Sequence, residues 1–214
     1  ALPLQLIHPK SSMLLDGGPL YRREFTDWAL FNTHLGFLSH WRAYQKVLQQ
    51  RNFLLKSTNL HTLHAFDRIL SDHGEAISHL RAEYLKIFTP IFLQLASVFL
   101  GVSDFSLKYS KGWSNDFDLF SALASDHEKD IRYGYTQSGP HRADIHILYQ
   151  GRPVKDFLSR GQQKLLTLAL YLSQVQLLNT KVSTQCILLI DDLGAELDSV
   201  NKAKLIEYLD SLGC

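Results

Sequence analysis

Apolar residues along this chain recur first at helical spacing and later at strand spacing. Between about residues 25 and 58, Trp28, Phe31, Leu35, Leu38, Trp41, Leu48 and Leu55 fall at steps of 3 and 4 or their sums, which predicts a helix. Gly36 lies inside that pattern and is a candidate break. From about 60 to 100 one or two more helices are expected. There Ile77, Leu80, Tyr84, Ile87, Ile91, Leu95 and Val98 fall at steps of 3 and 4, a stripe for packing on a neighbouring helix. Pro90 removes a backbone donor within that run and should kink or split it. These helices are expected to pack antiparallel as a lobe. Residues 1 to about 24 read as loops with one strand, broken by Pro3, Pro9, Gly17, Gly18 and Pro19.

After Gly101 the pattern changes. Phe105–Tyr109 and Asp144–Tyr149 read as strands, with Gly151-Arg152-Pro153 as a turn and 116–129 as an acidic helical segment. Ser159 opens a long amphipathic helix through Leu165, Leu168, Ala169, Leu172 and Leu177, and a last helix runs from about Val200 to Leu212. Between them Cys186–Ile190 is apolar throughout. A strand without polar alternation, set among helices, predicts an α/β layer covered on both faces.

Two stretches carry candidate chemistry. The apolar strand ends in Asp191-Asp192, and ligands of open α/β sheets bind at the C-terminal edge of the strands. A carboxylate there can hold magnesium beside nucleotide phosphates, the Walker B arrangement. Apolar strands also end in acids where nothing binds. About 30 residues upstream lies Leu158-Ser159-Arg160-Gly161-Gln162-Gln163-Lys164. A hydroxyl at a helix N-terminus, with a glycine allowing close approach, suits an anion, although capping alone also explains Ser159. Together, at this spacing, the two match the signature helix and Walker B of ABC-type ATPases, and Leu193–Asp198 matches the loop that follows in that class. No Gly-x4-Gly-Lys-Ser/Thr occurs anywhere in the chain, and Gly134–Gly139 is followed by Pro140 and His141, not by the lysine that would meet phosphates.

Composition adds limits. The chain has 214 residues, 45% hydrophobic and 20% charged, with 22 Lys plus Arg against 21 Asp plus Glu. This is a globular composition with no global polyanion signal, so a nucleic-acid surface must be local. The local candidate runs from Trp28 to Phe66, which contains no Asp or Glu but holds Arg42, Lys46, Arg51 and Lys56. Such a strip suits phosphates, and equally suits a solvated helix face. Cys186 and Cys214 cannot form a disulfide framework, so a reducing cytoplasm is the simplest location. The apolar run 87–102 falls short of a membrane span and reads as a buried helix. His61 and His64 could pair on a metal but lack an evident third ligand.

With these motifs goes a longer series: Gly18-Pro19, Arg22-Arg23, Phe25 with Asp27 and Trp28, Gln50-Arg51-Asn52, Lys111-Gly112-Trp113 and Gly139-Pro140-His141-Arg142-Ala143-Asp144. In this order, across nearly the whole chain, they resemble the RecF family of DNA-repair ATPases. Transporter ATPases share the signature and Walker B but not the run at 139–144. The resemblance implies an α/β fold with a helical lobe: a mainly helical lobe over 1–100 and part of an ABC-type ATPase head over 101–214, cut at both ends, with the phosphate loop before it and a further strand after it. It implies ATP and Mg2+ as cofactors of the intact protein, with little or no ATP binding by this part alone. Nucleotide contacts would come from Ser159, Arg160, Gly161, Gln162 and Asp198, a magnesium ligand from Asp191 and the catalytic carboxylate from Asp192. The implied partners are single-stranded or gapped DNA, RecO, RecR and, on ATP, a second copy, in RecA loading, DNA replication, recombinational repair and the SOS response. A transporter ATPase subunit and a purely helical interaction module are the alternatives.

Overall fold

The computed structural model describes residues 2–57, 62–181, 185–191 and 197–212. They form seven longer helices: α1 (Pro19–Thr33), α2 (Phe37–Leu55), α3 (Leu63–Leu100), α4 (Leu119–Ser125), α5 (His127–Tyr133), α6 (Arg160–Lys181) and α7 (Ser199–Leu212). The strands are β1 (Leu4–Ile7), β2 (Phe105–Ser110), β3 (Asp144–Tyr149), β4 (Arg152–Pro153) and β5 (Ile187–Ile190). The expected helix over 25–58 is therefore two, separated at residues 34–36 around Gly36. Pro90 neither ends nor splits α3, which continues through it as one helix of 38 residues.

The chain divides into two compact units, but not near residue 100. One comprises Ala1–Thr33, Leu85–Lys108 and His146–Cys214, the other His34–Tyr84 and Tyr109–Ile145. Both α3 and β3 contribute to each.

In the first unit β1 and β5 pair in parallel, Leu4 opposite Ile187 through Ile7 opposite Ile190. Only one face of this pair is covered. Leu4, Leu6, Ile187 and Leu189 are each 40% exposed or more, so the layer buried on both faces that the apolar run predicts is not complete among the described residues. Helix α6 is buried on nearly every side from Leu165 to Leu178, a core helix more than an amphipathic one. Phe25 of α1 meets Tyr171 of α6 and Phe88 of α3 edge-on, at centroid distances of 5.3 and 5.7 Å. Trp28 packs on the cluster of Val175, Leu178 and Cys186.

The buried side of α3 departs from the expected stripe. Ile77, Tyr84 and Leu95 are buried, but Ile87 and Val98 are exposed, and Phe88, Phe92 and Phe99 take their places. A stripe with steps of 3 and 4 averaging 3.5 residues drifts by about 20° per heptad on a straight helix. By its length and hydropathy α3 could cross a membrane; core helices meet the same test, and its Leu70, Phe88, Phe92 and Phe99 are buried.

The second unit is built on the antiparallel run of α2 against the first half of α3, where His40 meets His73 and Arg51 meets Asp67. Phe37, Tyr44, Leu48, Leu55, Leu63, Leu70 and Ile77 fill its centre, with Leu119 and Leu123 of α4. Strand order in the second sheet is β2-β3-β4. Gln150 and Gly151, both at positive φ (49° and 76°), close the β3–β4 hairpin as the tight-turn geometry requires.

Candidate nucleotide-signature helix and cationic ridge

The signature segment stands at the N-terminus of α6. Ser159 caps it: the Gln162 N–H donates to Ser159 Oγ at 3.3 Å, and the Ser159 N–H donates to Gln162 Oε1 at 2.9 Å. This reciprocal pair is a capping box. It uses the hydroxyl as an acceptor and leaves its proton available to an incoming anion. Ser159, Arg160, Gly161 and Gln162 are all exposed. A Cβ on Gly161 would meet nothing within 4 Å, so no neighbour in the chain demands glycine there. The remaining N–H groups of this first turn, with the positive end of a 22-residue helix, face solvent and suit an anion.

Asp191 follows β5 directly and is exposed, its N–H donating to the Ile7 carbonyl at 2.8 Å. It therefore sits at the C-terminal end of a parallel pair, where a carboxylate can meet a cation. Asp192 lies outside the described residues. Asp198 caps α7, accepting from the Asn201 N–H at 2.8 Å, and these hydrogen bonds hold its carboxyl below the ordinary range. Both Ser159–Gln162 and Asp191 with Asp198 belong to the first unit, and among the described residues no hydrogen bond joins the two sets.

The cationic strip is only partly as expected. Arg42, Lys46 and Lys56 are exposed and make no ion pair among the described residues. Arg51 does not join them. Its side chain is fully buried, with Nε 2.6 Å from Asp67 and Nη1 2.6 Å from Asp130 and 2.8 Å from Thr136 Oγ1. Burial pushes the Asp130 carboxyl up, against the pull of the Arg51 guanidinium. Arg51 is thus an internal counterion and not a phosphate contact. Its neighbour Asn52 accepts from both the N–H and the hydroxyl of Thr136, at 2.8 and 2.7 Å.

The 139–144 run is also architectural. Gly139 has φ 145°, open only to glycine, and a Cβ there would collide with the Tyr44 hydroxyl. Arg81 donates to the Pro140 carbonyl at 2.6 Å. His141 Nε2 faces the Thr136 carbonyl at 3.0 Å, so that nitrogen carries the proton, and Nδ1 accepts from the Tyr44 hydroxyl at 2.6 Å. Burial pushes the Tyr44 phenol well above its ordinary value and keeps it a donor. His64 packs edge-on against Phe120, while His61 lies outside the described residues.

No family model matches the chain. It is 41% identical over 215 aligned residues to the DNA replication and repair protein RecF of Pseudomonas aeruginosa (strain LESB58), covering 100% of this chain and 58% of that protein. It is also 41% identical over 209 residues to the protein of that name from Vibrio atlanticus (strain LGP32), covering 97% of this chain and 58% of the relative. The chain belongs to the RecF family. A solved structure of the recombination mediator protein RecF with ATP, in the RecFOR pathway, superposes with a TM-score of 0.85 at 25% identity, covering 98% of this chain and 60% of that one. The expected fold, an ABC-type ATPase part with a helical lobe, is that of RecF. The chain spans a little under three fifths of the length of these RecF relatives. The RecF runs at 18–28, 50–52 and 139–144 now divide by role. Phe25 and Trp28 pack the first unit, Arg51, Asn52 and His141 brace the second, and the 159–162 turn is exposed throughout.

Proposed function

We propose that this chain is part of an ATP-switched DNA-binding protein of recombinational repair. The full-length protein would act at gapped or single-stranded DNA and aid RecA loading with RecO and RecR, in the cytoplasm and within the SOS response. The observation that carries this reading is the family match over the whole chain, joined to an exposed signature turn that no internal packing explains.

Two copies would close on ATP, each presenting Ser159, Arg160, Gly161 and Gln162 to nucleotide held by the other. The residues fit that role: a hydroxyl proton, open N–H groups and a glycine with free space beside it. Asp191 would hold magnesium at the strand end, and Asp192 would orient the attacking water. Asp198, the cap of α7, would add a further nucleotide contact. Bound Mg–ATP would supply the phosphoanhydride bond whose hydrolysis would reset the dimer. Because the phosphate loop is not in this chain, these 214 residues alone should not hold ATP tightly.

The DNA surface is tested by salt dependence. Replacing Arg42, Lys46 and Lys56 together by Ala in the full-length protein should flatten the dependence of duplex affinity on log salt by roughly one unit per lost phosphate contact. An unchanged slope would return this ridge to ordinary solvated surface.

A further inference from the structure

The cationic ridge of α2 ends beside two exposed tyrosines. Arg42, Lys46, Gln49, Gln50, Phe53 and Lys56 are all exposed and succeed one another at helical spacing, so they form one ridge. Lys56, at its end, lies against Gly134: its Cγ is 3.4 Å from where a Cβ on that glycine would stand. Gly134 has φ 72° and terminates α5, and on either side of it are Tyr133 and Tyr135, 58% and 43% exposed. Their ring centroids are 6.1 Å apart with planes inclined at 42°. The rings are tilted and not stacked on one another, and both residues are exposed.

The mount beneath them is rigid. Thr136, next in the chain, is tied through its N–H and hydroxyl to Asn52 and through its hydroxyl to the buried Arg51. The Gln137 N–H donates to Asp130, which Arg51 also holds. The rings are therefore presented outward from an anchored backbone, at little further cost in backbone entropy. Arg132, also exposed, adds a second cation beside Tyr133.

We propose that Tyr133 and Tyr135 form a stacking platform for unpaired bases, fed by the phosphate-binding ridge of Arg42, Lys46 and Lys56. This rests on the DNA-binding reading above and deepens it. Flat aromatic faces beside cations are the combination that single strands need: cations follow the backbone, and rings take bases of any sequence. A duplex, with its bases already stacked on one another, gains from the cations alone. The charge pattern favours nucleic acid over a protein partner, since the stretch of sequence from Trp28 to Phe66, in which the ridge lies, contains no Asp or Glu.

The test is fluorescence anisotropy of the full-length protein with labelled oligo-dT and with a duplex of equal length. Tyr133→Ala/Tyr135→Ala should weaken oligo-dT binding by roughly tenfold or more, leaving duplex affinity within about twofold. Tyr133→Phe/Tyr135→Phe should bind oligo-dT as the wild type does, because the ring and not the hydroxyl acts; this variant also guards against misfolding as the cause. Undiminished oligo-dT binding by the Ala variant would overturn the platform while leaving the DNA reading intact. Equal losses on both ligands would also overturn it. Normal oligo-dT binding with loss of ATP-driven self-association would make this a protein interface instead. Wild-type protein that bound neither oligonucleotide would fail the DNA reading itself.

Discussion

Removing the guanidinium of Arg51 would strand two carboxylates. Asp67 and Asp130 each lie 2.6 Å from it, and their side chains are 10% and 0% exposed. Breaking a buried ion pair by deleting one partner costs about 3–5 kcal/mol, because the remaining charge has no counterion. Arg51→Ala does this to two acids at once and also releases Thr136. Against a total stability of about 5–15 kcal/mol, that is a large fraction. With a urea m value of about 2 kcal/mol/M, the unfolding midpoint should fall by roughly 2 M. Circular dichroism during urea titration reads this directly. A companion variant, Arg51→Met/Asp67→Leu/Asp130→Leu, should recover most of the loss, since an apolar trio of similar volume needs no counterion. One guanidinium nitrogen, Nη2, has no partner among the described residues, which further favours that recovery. Arg42→Ala, on the exposed ridge, should stay within about 0.5 kcal/mol of wild type. An Arg51→Ala protein with an unchanged midpoint and weakened DNA binding would refute this assignment and return Arg51 to the surface strip.

Other consequences are smaller. Gly161 lies in the first turn of α6 with open space around it, so Gly161→Ala should raise stability by up to about 1 kcal/mol in thermal melts, while weakening ATP-driven dimerisation of the full-length protein. His73, desolvated and facing His40, is held below its ordinary value, with Asp72 pulling the other way. The unfolded chain therefore takes up that proton first, so as pH falls below about 6.5 the folded state loses stability. Urea midpoints measured from pH 7.5 to 5.5 should show this fall, and His73→Asn should lessen it.

The helices of both units were legible because their apolar residues keep helical spacing, and β3 and β5 because theirs do not. The side that α3 buries was not legible, since Ile87 and Val98 differ from Phe88 and Phe99 by only one position each. Arg51 was misread for a related reason. Within its acid-free stretch it is indistinguishable from Arg42 or Lys46, and its partners lie 16 and 79 residues away. Only the tertiary fold brings them together. The capping box at Ser159 was readable because it is local: serine, then glutamine three residues later. The tyrosine pair left no signal of its own, because exposure cannot be read from Tyr-Gly-Tyr. Apolar content predicted burial of β5 on both faces, yet Ile187 and Leu189 are half exposed beside Leu4 and Leu6.

The proposed role of Ser159 is to serve nucleotide held by a second copy. It is tested most directly by sedimentation velocity of the full-length protein with Mg–ATP, wild type beside Ser159→Arg, with nucleotide binding to each measured in parallel. Wild type should shift from monomer to dimer on ATP. The Ser159→Arg protein should bind ATP with wild-type affinity yet remain monomeric, because a bulky cation replaces the hydroxyl at the exposed turn of α6. ATP-induced dimers of normal stability in that variant would rule this role out.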